Sequence, residues 1–136
     1  MITTATRERL AQLLGEQLGE PAPATVLPYG VTGAFQPPVI VLGQPDVEFG
    51  DWGCTDKNTI GVAVVVRDDP TGPVATQKAL DRLWPQVAAA LKAVFAADPT
   101  LGGQVTHSEL KTAEYGTFVV QAKSFPAQNL TINLYT

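Results

Sequence analysis

The sequence predicts an α+β fold: a mainly antiparallel sheet packed by two helices, in the order α-β-β-α-β-β(-β). Two segments, 3–18 and 73–97, repeat apolar residues at helical spacing. The stretches between and after them either alternate apolar and polar residues or run as short Val- and Ile-rich segments, as strands do. The 136 residues suffice for one domain, residues 1–136, with a core that needs neither disulfides nor metals.

The first helix is predicted over residues 3–18. Its leucines share one face, as in an amphipathic helix: Leu10, Leu13, Leu14 and Leu18. Thr3 or Thr4 can cap its start, because a hydroxyl oxygen accepts one of the free backbone N–H groups there. Gly19 and Pro21 end it, since proline cannot continue a helix.

Residues 19–37 form a long, proline-rich connection. The connection nevertheless carries several apolar side chains, Tyr29 and Phe35 among them. A purely solvated linker has no need of such groups. We expect that they either fold back onto the domain or form an arm that touches a neighbouring subunit.

The next segment predicts an antiparallel hairpin. A first strand region covers 38–49 and is interrupted by Gly43 and Pro45, which indicates a bulge or an edge position. Residues 59–67 form the second strand, and their near-continuous apolar character predicts burial on both faces. The polar, glycine-punctuated stretch 50–58 joins the two strands.

The second helix is predicted from Pro73 to about Ala97, with proline in the first helical position, where it is well tolerated. Pro85 lies inside the apolar stripe of this segment. There it removes a backbone donor and crowds the preceding turn. We therefore expect either a kink near Trp84 or two separate helices.

The last third of the chain predicts strands. Residues 105–110 form a short one, and residues 117–125 and 130–135 alternate in the manner of half-buried strands. The polar stretch from Pro126 to Asn129 is interpreted as the turn between the last two.

Composition excludes several classes of function. The net charge is -4 and the nine Lys and Arg are scattered, whereas duplex-binding proteins carry a basic stripe. The single Cys54 cannot form an internal disulfide, and one Cys with one His cannot build a structural zinc site. The sequence shows no signal peptide and no apolar run long enough to span a bilayer. We expect no cofactor, no metal and no membrane contact.

A catalytic centre is not expected either. His107 is the only histidine, and although it is flanked by Ser108, no nucleophile elbow of the type G-x-S-x-G accompanies it. A surface histidine on a strand is the simpler interpretation. The carboxylates around the first hairpin lack the spacing of a calcium-binding loop, so they are interpreted as a solvated acidic loop.

Four aromatic residues occupy predicted loops. Phe49 and Trp52 flank the glycine-rich hairpin tip, and Tyr29 and Phe35 lie in the proline-rich connection. Exposed aromatics are typical of protein interfaces, because they bury a large area at small entropic cost. Alternatively, each ring fills the local core.

The order of elements resembles that of the tail terminator proteins of long-tailed bacteriophages, over nearly the whole chain. The resemblance is carried by TRERLAQLLGEQLGEP at the start, by TIGVAVVVRDDP leading into TGPVATQKALDRLWPQVAAALKAVF, and by NLTINLYT at the end. The extended hairpin GQPDVEFGDWGCTDKN also suits that family. Pro85 and the proline-rich connection match no motif of the family.

The resemblance implies a structural virion protein, made late in infection and assembled in the host cytoplasm. Typically six copies form a ring at the head-proximal end of the tail tube, where the ring stops tube polymerisation and provides the head-docking surface. The implied partners are other copies of the chain, the major tail tube protein and a head-completion or neck protein. DNA passes through the lumen without specific binding, and no reaction is implied.

Two sets of residues are expected at the contacts of such a ring. The first would meet the tube or a neighbouring subunit: Tyr29, Phe35, Phe49, Asp51 and Trp52. The second would face the lumen or the tube, where carboxylates repel DNA phosphate: Asp46, Glu48, Asp56, Asp68 and Asp69.

Three alternatives stay open at this stage. The chain could be another phage neck or tail-completion protein. It could be a small α+β enzyme, which a deep pocket holding His107 with a carboxylate would support. It could also be a cellular binding module that captures a ligand or peptide with the loop from Tyr29 to Phe35.

Overall fold

The computed structural model describes residues 2–31, 36–52 and 55–136. In that part of the chain two helices and six strands follow one another: α1 (Thr4–Leu18), β1 (Thr25–Leu27), β2 (Val39–Leu42), β3 (Asp46–Glu48), β4 (Lys57–Val65), α2 (Pro73–Ala97), β5 (His107–Val120) and β6 (Lys123–Tyr135). The predicted α+β class is confirmed.

The six strands form one mixed sheet in the order β1-β2-β4-β6-β5, and β3 also pairs with β4. Only β1 runs parallel to its neighbour; the other pairs are antiparallel. Along one edge of β4, β6 pairs with the whole strand. Along the other edge, β2 and β3 pair with the two ends of β4 and together act as a single interrupted strand. The interruption falls at Gly43, as predicted, whose amide bonds to the Gly61 carbonyl at 2.8 Å. A Cβ atom on Gly43 would lie 3.1 Å from that oxygen, so glycine permits the close approach.

Both helices cover the same face of the sheet. That face supplies the buried side chains of β2, β4 and β6 that form the main core with α1 and α2: Ile40, Leu42, Ile60, Val62, Val64, Leu130, Ile132 and Leu134. The opposite face carries no helix and is divided along its length. Toward the end of β4 it holds a smaller apolar cluster: Val39, Val41, Ala63, Val65, Phe125 and Ala127. Toward the start of β4 it is polar.

The first helix begins and ends where its sequence predicts. The Thr3 hydroxyl accepts the amide of Thr6 at 3.3 Å, and Gly19 ends the helix with a positive φ of 78°. Arg7 ties this helix to the sheet: its guanidinium donates to the Leu42 and Gly43 carbonyls, each at 3.1 Å, and to the Gln44 side chain. Tertiary contacts therefore add to the intrinsic helix propensity of this segment.

The second helix is continuous from Pro73 to Ala97, so the alternative of two separate helices is wrong. Pro85 lies on its exposed side. Its apolar stripe faces the sheet and is buried from Leu80 to Phe95. The packing of this stripe outweighs the one backbone hydrogen bond that Pro85 removes.

The terminal strands correct the prediction. Residues 107–120 form one long strand, and the turn lies at Gln121 and Ala122, not at 126–129. Both turn residues have positive φ, 50° and 64°. Pro126 lies inside β6, opposite Thr117, at the point where β4 ends, and its carbonyl accepts the Val66 amide at 3.2 Å. A proline is tolerated there because the neighbouring ladder has stopped.

Candidate docking surfaces

Among the described residues, the most exposed apolar group lies at the end of the β3–β4 hairpin, and we name residues Phe49–Trp52 the hairpin tip. Phe49 is 70% exposed and Trp52 is fully exposed, and Asp51 lies exposed between them. The alternative that these two aromatic rings fill the core is therefore wrong. The neighbouring Gly53 and Cys54 lie outside the described residues.

The hairpin tip is held on its scaffold by Asp56. The Asp56 carboxylate accepts the Gly50 amide at 3.0 Å, and the Asp56 backbone exchanges two hydrogen bonds with Thr136, at 2.8 and 2.9 Å. Asp56, which is predicted to face the lumen or the tube, therefore also stabilises the base of the hairpin tip. Asp46 and Glu48 are exposed on β3, opposite Thr59 and Lys57.

Tyr29 does not belong to a free arm. Its hydroxyl donates to Glu8 at 3.1 Å, and the Arg7 guanidinium lies 4.7 Å from the centre of its ring. Just before it, β1 joins the sheet beside β2. For this part of the connection, folding back onto the domain is confirmed. Phe35 lies outside the described residues.

Asp68 and Asp69 lie at the other end of β4 from the hairpin tip. Nine residues of strand separate the two ends, roughly 27 Å at about 3.3 Å per residue. The Asp69 carboxylate accepts the Thr71 hydroxyl at 2.6 Å and the Thr71 amide at 2.9 Å. Those two bonds lower the pKa of Asp69. The predicted acidic residues thus form two separate groups, and the structure does not bring them into one patch.

A polar cluster on the helix-free face was not predicted. Glu109 accepts hydrogen bonds from Asn133 at 3.1 Å and from Tyr135 at 3.0 Å, and the Thr59 hydroxyl donates to Asn133 at 3.0 Å. The bonds from Asn133 and Tyr135 lower the pKa of Glu109, and the bond to Glu109 raises the pKa of Tyr135. The only indication of this cluster in the sequence is the alternation of polar residues along β6. That alternation predicts that one face of the strand points away from the helices.

His107 lies at the edge of that cluster, exposed and stacked on Tyr135 with ring centres 6.0 Å apart. Ser108 points to the other face of the strand, where its hydroxyl donates to the Pro99 carbonyl at 2.9 Å. Adjacent residues of a strand point to opposite faces of the sheet. Ser108 and His107 therefore cannot act together as a nucleophile and its general base. His107 is not among the lining residues of four of the best-formed cavities in the described part of the chain.

One of those cavities lies between the start of α2 and the end of β4, and we name it the α2 cleft. Its volume is ≈ 320 Å³. Val66 and Leu83 form its floor, and the guanidinium groups of Arg67 and Arg82 lie at its rim. Sequence reasoning missed it because its lining residues come from four separate segments: Pro23, Pro38, Val66, Arg67, Asp69, Pro70, Ala79, Arg82, Leu83 and Gln86.

Within residues 2–31, 36–52 and 55–136, no three His, Cys, Asp or Glu side chains come together as metal ligands would. Neither α1 nor α2, the helices of those ranges, is long and apolar enough to cross a membrane. No protein-family model and no curated protein matches the sequence.

Proposed function

We propose that this chain is a structural virion protein that forms a ring, typically of six copies, on the head-proximal end of a phage tail tube. The ring stops tube polymerisation and offers the surface on which the head docks. Its partners are other copies of the chain, the tail tube protein and a head-completion protein. The chain catalyses no reaction in this role.

The observation that carries the proposal is the hairpin tip. A monomer with no partner gains nothing by holding Phe49 and Trp52 in water, since burying a large apolar side chain is worth ~1.5–3 kcal/mol. Asp56 and the backbone of Thr136 nevertheless anchor the base of that tip. Exposed, preorganised aromatic residues are typical of contact sites, where Trp is among the most frequent energetic anchors.

The shape of the sheet also supports a ring. Its edges differ: one is the 14-residue strand β5, and the other is built from the short strands β1 and β3. Different surfaces on opposite sides of a subunit favour head-to-tail association, which gives a ring when the rotation closes. The two sheet faces also differ, since only one is covered by helices. A ring of such subunits can bind a different partner on each side.

The negative charge of the chain also supports the proposal that DNA passes through the ring. The net charge is -4, and Asp46 and Glu48 are exposed on β3. A lumen lined by such carboxylates would repel phosphate and keep DNA from adhering to the wall. The aspartates at the other end of β4 would face the tube or a second level of the lumen.

The test is electron microscopy of tails from the source virus that carry a labelled copy of this chain. We expect label at the head-proximal end alone, as a ring with a central hole. We also expect tubes of irregular, excessive length when the chain is depleted. Label confined to isolated heads would instead identify a neck protein. Label absent from finished virions, with tubes of normal length after depletion, would reject the proposal.

A further inference from the structure

We propose that the hairpin tip of one copy docks into the α2 cleft of the next copy. This contact rests on the ring proposed above and names the surfaces that join its subunits. The occupant of the cleft is thus a second copy of this chain, presenting an aromatic and acidic loop.

The two surfaces match in size and polarity. The tip offers Phe49 and Trp52 on a hairpin anchored at its base, and the cleft offers an apolar floor of Val66 and Leu83. Its volume of ≈ 320 Å³ falls near the lower limit of small-molecule pockets, roughly 300–1,000 Å³. A cleft of that size fits one aromatic side chain with its neighbours.

The two surfaces also carry opposite charge. The tip carries one exposed carboxylate, Asp51, and no Lys or Arg. The lining of the cleft carries Arg67 and Arg82 against one carboxylate, Asp69, which is an excess of one positive charge. In a chain of net charge -4, this local excess of positive charge selects an acidic partner.

The two arginines of the cleft differ in whether their guanidinium groups already donate hydrogen bonds. Arg67 is fixed, because its Nε and Nη2 donate to the Pro37 carbonyl at 3.1 and 2.6 Å. Among the described residues the Arg82 side chain donates no hydrogen bond, although its charge contributes to lowering the pKa of Asp69. It is therefore available to a carboxylate of an incoming loop, which an arginine fork can hold with two parallel bonds.

The geometry excludes a contact within one copy. The tip precedes β4, while Val66 and Arg67 directly follow it, so the rigid length of the strand, roughly 27 Å, keeps the two surfaces apart. A tip that cannot reach its own cleft can reach that of a neighbour. Repeated contacts of this kind are heterologous, and they close a ring when the rotation per subunit divides a full turn.

The experiment traps the contact with a disulfide. In a Cys54→Ser background, one protein carries Thr55→Cys beside the tip and a second carries Gln86→Cys at the cleft. After mixing under mild oxidation, we expect the mixed dimer to form at least tenfold faster than either homodimer. The matched control replaces Gln86→Cys by Lys92→Cys, which is exposed on α2 outside the cleft and should cross-link only at the background rate.

Second substitutions then test the chemistry of the contact. Trp52→Ala in the tip partner should slow cross-linking by roughly 30-fold, the effect of losing an anchor residue. Arg82→Glu in the cleft partner should slow it by roughly fivefold, whereas Arg82→Lys should change it less than twofold. Tyr115→Ala, which removes an exposed aromatic ring from β5, should leave the rate unchanged. Circular dichroism checks that every variant is folded.

The outcomes separate the contact from the function. Equal rates for the Gln86 and Lys92 positions, or no effect of Trp52→Ala, would overturn the docking proposal even if labelled rings are seen on tails. Specific cross-linking by a chain that is absent from virions would support the contact and reject the tail-terminator role.

Discussion

Arg7 illustrates how much of this fold depends on a single side chain. It joins α1 to the interruption between β2 and β3 through two carbonyls and Gln44, and it supports the ring of Tyr29. No other residue type offers several donors in a rigid planar fork. One arginine therefore fixes the angle at which the first helix meets the sheet.

Arg7→Lys should lower the free energy of unfolding by about 1–3 kcal/mol, because a single ammonium cannot replace the fork and charged hydrogen bonds are lost. Urea unfolding monitored by circular dichroism measures the change. The matched control is Arg9→Lys on the same helix, where the only described bond is a 3.4 Å contact with Gln12. Equal effects of the two substitutions would contradict this role of Arg7.

Glu109 and Tyr135 should make stability depend on pH at both extremes. The pKa of Glu109 is lowered in the fold, so its stabilisation is present above the ordinary glutamate value of about 4.3 and is lost as pH falls through the folded value. The pKa of Tyr135 is raised, so its stabilisation is present below about pH 10 and is lost as pH rises through the folded value.

Tyr135→Phe should therefore raise the pKa of Glu109 toward its ordinary value and flatten both limbs of the stability profile. NMR titration of the glutamate side-chain carbon measures the first effect, and urea unfolding across pH measures the second. Tyr115→Phe is the control, since that tyrosine is exposed on the same strand as Glu109 and makes no bond to it. An unchanged pKa of Glu109 in Tyr135→Phe would refute the coupling.

At the scale of elements, the β5–β6 turn carries conformational strain. Gln121 and Ala122 both adopt positive φ, a region that costs an L-residue with a side chain about 1–2 kcal/mol. Two-residue turns of this kind strongly favour Asn-Gly. The long hairpin tolerates an unfavourable turn because the two strands are paired along their length, apart from an irregularity at Lys111.

The double substitution Gln121→Asn and Ala122→Gly should raise the free energy of unfolding by about 1 kcal/mol. Thermal and urea unfolding give the value. Ala113→Gly, within β5, has the opposite expected sign and should cost about 0.5–1 kcal/mol. A loss of stability in the turn variant would mean that the turn is not strained.

Pro85 weakens α2 without interrupting it. Pro85→Ala should stabilise the fold by about 1–3 kcal/mol, because it restores a backbone donor on the exposed side of the helix. Ala89→Pro, also exposed and one turn further on, should lower stability by about 3 kcal/mol. Urea midpoints compare the two variants. A destabilising Pro85→Ala would show that the proline shapes the helix in a way that the packing needs.

Sequence reasoning succeeded where one element carries its own signal. Both helices were predicted within one residue because their apolar stripes and end residues agree. The turn between β5 and β6 was misplaced, because Gln121 and Ala122 carry no glycine or asparagine while the stretch after Pro126 imitates a turn. The strand β1 was missed because its three residues become a strand only by pairing with β2.

At the scale of the whole molecule, a docking surface could likewise be predicted only where a single segment of the chain forms it. The exposure of Phe49 and Trp52 was one of two predicted alternatives, since an isolated hairpin tip has few neighbours. The α2 cleft could not be predicted, because Arg67 and Arg82 come together only when α2 packs beside the end of β4. Sites assembled from separate segments need the tertiary structure.

The acidic side of the hairpin should matter for the assembled particle. If Asp46 and Glu48 face the lumen or the tube, changing both to Lys should reduce infectivity, since lysine would attract passing phosphate or disturb assembly. Plaque titre and the fraction of headed tails measure the effect. Changing Glu16 and Glu20 to Lys gives the same change in net charge at exposed sites outside this hairpin and serves as the control. Normal titres from the Asp46 and Glu48 variant would argue against the acidic lumen.

The position of β6 has a consequence for how the chain reaches its fold during synthesis. This strand comes last among the described elements, yet it lies between β4 and β5, and its Leu130, Ile132 and Leu134 are fully buried. Until the ribosome has released β6, the edge of β4 that faces away from β2 and β3 has no strand to pair with. The two helices then have only half a sheet to pack on. The nascent chain therefore stays open to aggregation until translation of this strand is finished, and a premature stop codon before Leu130 removes the middle of the core.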